Sequence, residues 1–275
     1  MNLRRNFMLD GFFQLPYPVQ ALGATLLTWA LTALGACVVF LVRQPNRNVM
    51  DAMLGLAGGV MVAAAFWSLL SPAIDMAENL AMNPWLTALA GFLGGGVLLF
   101  FGDRLFTRLS ARRTPAATSS TGLKRCAMLV FSITLHNIPE GMAIGVAFGS
   151  LAYGLDGSTS AGAWMLAVGI GLQNLPEGMA VSLPLRREGY GTGKAFFYGQ
   201  LSGIVEPIAA VLGALLVLKV RACLPFLLAF AAGAMIYVVV EELIPESQTN
   251  ENKDWMALFT LVGFSVMMVL DVALG

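Results

Sequence analysis

Leu135-His136-Asn137-Ile138-Pro139-Glu140-Gly141-Met142-Ala143 and Leu172-Gln173-Asn174-Leu175-Pro176-Glu177-Gly178-Met179-Ala180 are near copies, 37 positions apart. Each holds a nitrogen or oxygen ligand, an amide, a helix-breaking proline and a carboxylate within five residues. Each is embedded in a stretch otherwise apolar enough to cross a bilayer. Ionisable groups at membrane depth are costly, and where they persist they mark function. The duplicated set reads as a place for a divalent cation in the middle of a membrane.

Composition agrees with that setting. The chain is 57% hydrophobic and 12% charged, with a mean hydropathy of +0.76, whereas soluble domains carry about 25% charged residues. A soluble domain of 275 residues cannot bury so much apolar surface. An all-α polytopic membrane protein is predicted, a single transmembrane domain over 1–275 in contact with the lipid bilayer. The net charge of zero gives no support for a nucleic-acid partner. Cys37, Cys126 and Cys223 lack CxxC spacing and read as packing residues. Residues 1–16 have neither a long apolar h-region nor a small-residue cleavage site, and read as an interfacial helix.

A spanning helix needs about 20 mostly apolar residues. Runs of that kind, separated by polar or Gly/Pro breaks, fall near 18–42, 49–78, 84–107, 124–153, 161–186, 192–219, 222–246 and 254–274. Eight spans put both termini on one side. Of the sixteen Lys and Arg, four (Arg4, Arg5, Lys219, Arg221) share the side of the termini, leaving twelve on the other. The positive-inside rule then places both termini outside the cytoplasm. The stretch 108–123, basic and rich in Ser, Thr and Ala, is the long cytoplasmic loop.

A fainter repeat joins spans two and seven. Gly59, Met61, Ser68 and Leu69 stand opposite Gly233, Met235, Glu242 and Leu243, each pair offset by 174. Such partners running in opposite directions are the mark of inverted-repeat transporters.

Helical spacing puts His136 and Glu140 on one face, and Gln173 and Glu177 on another, with Asn137 and Asn174 on adjoining strips. Pro139 and Pro176 withhold a backbone hydrogen bond from the carbonyls of Leu135 and Leu172, which predicts broken or kinked helices lining a cavity. Glu206-Pro207 in span six adds a third carboxylate and would free the Gly203 carbonyl. Spans four to six hold no Lys or Arg at that depth, so a bound divalent cation is the natural counter-charge. Imidazole, amide and carboxylates, with Met61 as a thioether approaching from span two, suit Zn²⁺, Fe²⁺, Mn²⁺ or Cd²⁺ better than Mg²⁺. No organic cofactor is implied. Ser68, Asp75 and Glu242 are read as lining the path, with Asp75 at the outer mouth and Glu242 at the inner one. Two other classes compete: an intramembrane metal-dependent hydrolase, and a proton-coupled solute transporter. One histidine and a symmetric ligand set are poor for the first, and the lack of midplane Arg is poor for the second.

The two quoted motifs and Glu206-Pro207 resemble those of the ZIP (Zrt/Irt-like) family of metal transporters, in its bacterial GufA-like branch. The resemblance extends to Asp51-Ala52-Met53-Leu54-Gly55, to Glu242-Leu243-Ile244-Pro245-Glu246 and to the closing Leu270-Asp271-Val272-Ala273-Leu274-Gly275. It implies an eight-helix fold with inverted repeats (spans 1–3 and 6–8) around a central span 4/5 pair. It also implies a homodimer in the bacterial inner membrane that imports Zn²⁺ by alternating access, with spans one, four, five and six moving as a unit. The binuclear site it implies has His136, Glu140, Gln173, Glu177, Glu206 and Met61 at one ion. Asn137, Asn174 and the shared carboxylates Glu140, Glu177 and Glu206 hold the other. Gln173 stands where many members have His, and the His-rich cytoplasmic loop of many members is missing.

Overall fold

The computed structural model describes residues 14–42, 46–113, 121–154, 158–248 and 251–274, and their regular secondary structure is helical throughout. Six helices among them are long and apolar enough to cross a membrane. These are α1 (Tyr17–Leu41), α2 (Arg47–Asn79), the Pro84–Gly102 part of α3 (Pro84–Arg113), α6 (Thr192–Lys219), α7 (Arg221–Ser247) and the Lys253–Ala273 part of α8 (Lys253–Leu274). Two more long helices, α4 (Thr121–Ser150) and α5 (Ser160–Arg187), carry the duplicated motif, and in α5 its polar residues lower the hydropathy.

Helix boundaries fall within a few residues of the hydropathy reading, except around the connection expected at 108–123. There α3 runs on to Arg113 and α4 starts at Thr121, so the connection shrinks to 114–120, which lies outside the described residues. Residues 1–13 of the expected interfacial helix lie outside them too. The prolines act differently from expectation. α4 continues through Pro139, and α5 through Pro176 and Pro184. Membrane helices absorb a proline when neighbours hold the backbone in place. The break occurs in α6, where Gly203 and Ile204 separate Thr192–Ser202 from Val205–Lys219. The Gly203 carbonyl is not free, since it accepts from the Glu206 N–H at 3.1 Å.

Small residues decide which helices touch, because lipid offers no hydrophobic drive and close backbone approach must supply the attraction. α1 packs most closely on α5, α4 on α6, α3 on α7 and α2 on α8. A Cβ at Gly178 would fall on the Thr32 carbonyl, and one at Gly141 on the backbone of Glu206. The same holds for Gly59 against Thr260 and for Gly233 against Phe92. These glycine-to-backbone contacts all lie either within α1, α4, α5 and α6 or within α2, α3, α7 and α8. Between the two groups, Gly169 of α5 meets only the flexible side chain of Met267 on α8.

α2 and α7 each contain one wide π-type turn, at Ala65–Leu70 and Val239–Leu243. The two turns start 174 positions apart, the offset of the fainter sequence repeat, and they carry Ser68 and Glu242. Such turns inside membrane helices occur preferentially at functional positions.

Candidate metal centre

Glu140 on α4, Glu177 on α5 and Glu206 at the start of the second half of α6 are all buried. They are near enough to act electrostatically on one another. Among the described residues no Lys or Arg pairs with any of them; the ion pair between Arg47 and Asp51 lies at the start of α2. Three buried carboxylates without a cation are costly to hold together.

Neutral amides and a hydroxyl hold Glu140 and Glu206 instead. Gln173 Nε2 donates to Glu140 Oε1 at 2.6 Å, and Asn174 Nδ2 to Glu206 Oε1 at 2.8 Å. Thr28 Oγ1 on α1 donates to Glu206 Oε2 at 2.5 Å. The asparagines also tie the helices: Asn137 Nδ2 donates to the Ser202 carbonyl at 2.9 Å, and Asn174 Nδ2 to the Thr28 carbonyl at 3.2 Å. The two bonds correspond, since Asn137 and Asn174 are 37 apart and Thr28 and Ser202 are 174 apart. The break in α6 is what exposes the Ser202 carbonyl to Asn137. Asn137→Leu is expected to cost about 1 kcal/mol by leaving that carbonyl unpaired, read as a lower unfolding temperature in detergent.

With the N–H groups so used, five buried oxygens accept no hydrogen bond: Asn137 Oδ1, Glu140 Oε2, Gln173 Oε1, Asn174 Oδ1 and Glu177 Oε2. All five are acceptors, and buried acceptors without donors are rare in folded proteins. A cation satisfies acceptors alone. Hard and intermediate divalent ions take such oxygen sets. Among the described residues no three His, Cys, Asp or Glu side chains close into a ready coordination shell. The donor set is instead a mixture of carboxylates and amides.

The other predicted residues are placed as follows. His136 lies on α4 one turn before Glu140, and its side chain is outside the described part. Met61 is fully buried in the main apolar core. Glu242, on the π-turn of α7, is partly buried and acts electrostatically on Glu177. Ser68, on the π-turn of α2, donates to Asp271 Oδ1 at 2.7 Å. Both line a cavity of about 260 Å³ with Ser150, Ser158 and Thr159. Asp75 is exposed at the end of α2. Thr28 escaped the sequence reading. The signal was present in Thr25, Thr28 and Thr32, three buried hydroxyls on one face of an otherwise apolar helix.

Helices of membrane-spanning length around a buried cluster of carboxylates and amides define a polytopic membrane protein with a cation-type centre. Residues 116–271 match the family model described as ZIP Zinc transporter. The chain is 38% identical to zinc transporter ZIP11 of Xenopus tropicalis, across 98% of this chain and 100% of the relative. It is 38% identical to zinc transporter ZIPB of Bordetella bronchiseptica, across 90% and 79% of the two chains. With zinc transporter GufA of Myxococcus xanthus the identity is 35%, across 92% and 98%. The chain belongs to the ZIP family, a family of membrane transporters and not of enzymes.

Proposed function

We propose that this protein imports Zn²⁺ into the cytoplasm of a bacterium, with Cd²⁺, Fe²⁺ and Mn²⁺ as further cargoes, through a binuclear site between α4, α5 and α6. The observation that carries this reading is the set of five buried oxygens without a donor. One ion would be held by His136, Glu140, Gln173, Glu177 and Glu206, with Met61 nearby. The other would be held by Asn137, Asn174 and the shared carboxylates. The names of the relatives supply zinc as the first cargo to test.

Eight membrane spans forming one domain, with both termini outside the cytoplasm, are part of the same proposal. α1–α3 and α6–α8 would be inverted repeats around α4 and α5. Support comes from contacts that correspond under one set of offsets: Asn137 to Ser202 with Asn174 to Thr28, and Gly141 on Glu206 with Gly178 on Thr32. Alternating access would move α1, α4, α5 and α6 against the other four helices. The side-chain seam between those groups, against the backbone contacts inside each, favours such sliding. Ions would pass from the side of Asp75 and Ser68 towards Glu242, and the transporter would act as a homodimer in the inner membrane.

Flux into proteoliposomes tests the reading. Saturable uptake of Zn²⁺ and the softer ions, little or no uptake of Mg²⁺, and at least tenfold loss in His136→Ala are expected. Equal rates for all five ions, or an unimpaired His136→Ala, would remove the binuclear site from consideration.

A further inference from the structure

α2 and α8 run in parallel from one membrane surface, since a Cβ at Gly55 would meet the Met256 carbonyl, one at Gly59 the Thr260 carbonyl and one at Gly263 the Leu56 carbonyl. A groove of about 550 Å³ lies between the first turns of the two helices. Ala52 and Leu56 of α2 wall it on one side and Trp255 and Phe259 of α8 on the other, with Asn48 and Asn252 at its mouth. It opens outward, and Trp255 is 64% exposed. A second groove, of about 760 Å³, shares Trp255 and Phe259 and continues along α8 to Leu270. Both lie on helices of membrane-spanning length, and none of their residues belongs to the proposed metal centre.

Apolar walls alone do not choose an occupant here, because lipid tails are as apolar as the side chains they would touch. The mouth is selective. α2 begins at Arg47 and α8 at Lys253, so two helix N-termini stand side by side, each carrying partial positive charge. Arg47 and Lys253 add full charges of the same sign. Such a mouth attracts a phosphate. Carboxylates flank it as well: Glu251 and Asp254 are exposed on either side of Lys253, and buried Asp51 pairs with Arg47 at 3.9 Å. A headgroup of net negative charge would be repelled by that acidic flank. One that carries an ammonium beside its phosphate complements both signs.

We propose that the two grooves hold the two acyl chains of a phospholipid of the phosphatidylethanolamine kind. Its phosphate lies at the start of α2 and α8, and its ammonium faces Glu251 and Asp254. Trp255 then marks the level of the headgroup, where indole rings are favoured at a membrane surface. The lipid fills the space between two helices that already touch through glycine, and so ties that pair to one leaflet.

Lipids with brominated chains quench indole fluorescence on contact, and they test the proposal on full-length protein in vesicles. The readout is the quenching of Trp255, taken as the difference between wild type and Trp255→Phe. Phosphatidylcholine vesicles carry an equal fraction of brominated phosphatidylethanolamine, phosphatidylglycerol or phosphatidylcholine. Phosphatidylethanolamine is expected to compete for the site about threefold better than either of the others. Ala52→Phe, which fills the groove opposite Trp255, should erase that preference. Lys253→Glu, an exposed substitution at the mouth, should erase it too and stands in should Ala52→Phe fail to fold. Equal quenching by all three lipids in wild type, a preference for phosphatidylglycerol, or a preference that survives in the folded variants overturns the proposal. So does the absence of quenching by any lipid, which would mean that a second copy of the chain covers the groove.

Discussion

Glu177→Ala is expected to abolish saturable Zn²⁺ uptake, by a factor of a hundred or more, while leaving the metal-free protein as stable as before or more so. The two effects have one cause. Glu177 is buried beside Glu140 and Glu206, acts electrostatically on Glu242, and has an oxygen with no hydrogen-bond partner. Without a cation it is a buried carboxyl group crowded by two others, and its removal relieves that crowding. With a cation it is shared between both proposed ion positions, so its loss disables each. Sites held at a cost to the fold commonly show this opposition of stability and activity. Uptake in proteoliposomes and unfolding temperature in detergent, measured on one preparation, decide the matter. A variant that loses uptake and melts well below wild type would assign Glu177 a structural role instead.

Gly141→Val is the second large effect, and it runs the other way. A Cβ at Gly141 would sit on the carbonyl oxygen and Cα of Glu206, which are backbone atoms and cannot turn aside as a side chain can. α4 and α6 must separate, at an expected cost of about 3 kcal/mol. The separation also breaks the Asn137 bond to the Ser202 carbonyl and displaces Glu206 from Glu140. Loss of folded yield and of uptake together is expected. Gly178→Val should behave alike, because its Cβ would meet the Thr32 carbonyl. Gly102→Ala is the control: a Cβ there has no atom within 4 Å, and stability should stay within about 0.5 kcal/mol of wild type. Equal behaviour of Gly141→Val and Gly102→Ala would sink the account of glycine-set helix spacing.

Much of this architecture was legible because bilayer thickness fixes the length of an apolar run. The ends of α1, α2 and α5 to α8 fall close to where hydropathy puts them. α3 overran because Arg108 to Arg113 are mostly polar but still good helix formers, and hydropathy measures solvent preference and not backbone preference; α4 starts three residues early, at Thr121. Glu140, Glu177 and Glu206 were legible as carboxylates at membrane depth beside prolines, and the structure brings all three together. Where the chain breaks was not legible. Pro139, Pro176 and Pro207 look alike in sequence, yet only the last follows a break, because Gly203 precedes it and Asn137 takes up the carbonyl released at Ser202. That partner is 65 residues away, beyond any local pattern. Thr28 was missed for a related reason: a threonine in an apolar helix usually bonds its own preceding turn, as Thr25 does to Ala21. Only the fold shows that Thr28 reaches across to α6. The π-turns left no sequence mark beyond the 174-residue offset that happened to pair Ser68 with Glu242.

A chain with one histidine also carries its own label. His136 is the only imidazole among the 275 residues, and it lies on α4 within one turn of Glu140. Any imidazole-nitrogen resonance, or any imidazole coupling to a paramagnetic ion, therefore originates from a single known position in the chain. Other membrane proteins need mutagenesis or selective labelling to reach that assignment. Here the lone ring makes magnetic resonance a residue-specific probe of the proposed ion path in the unaltered protein.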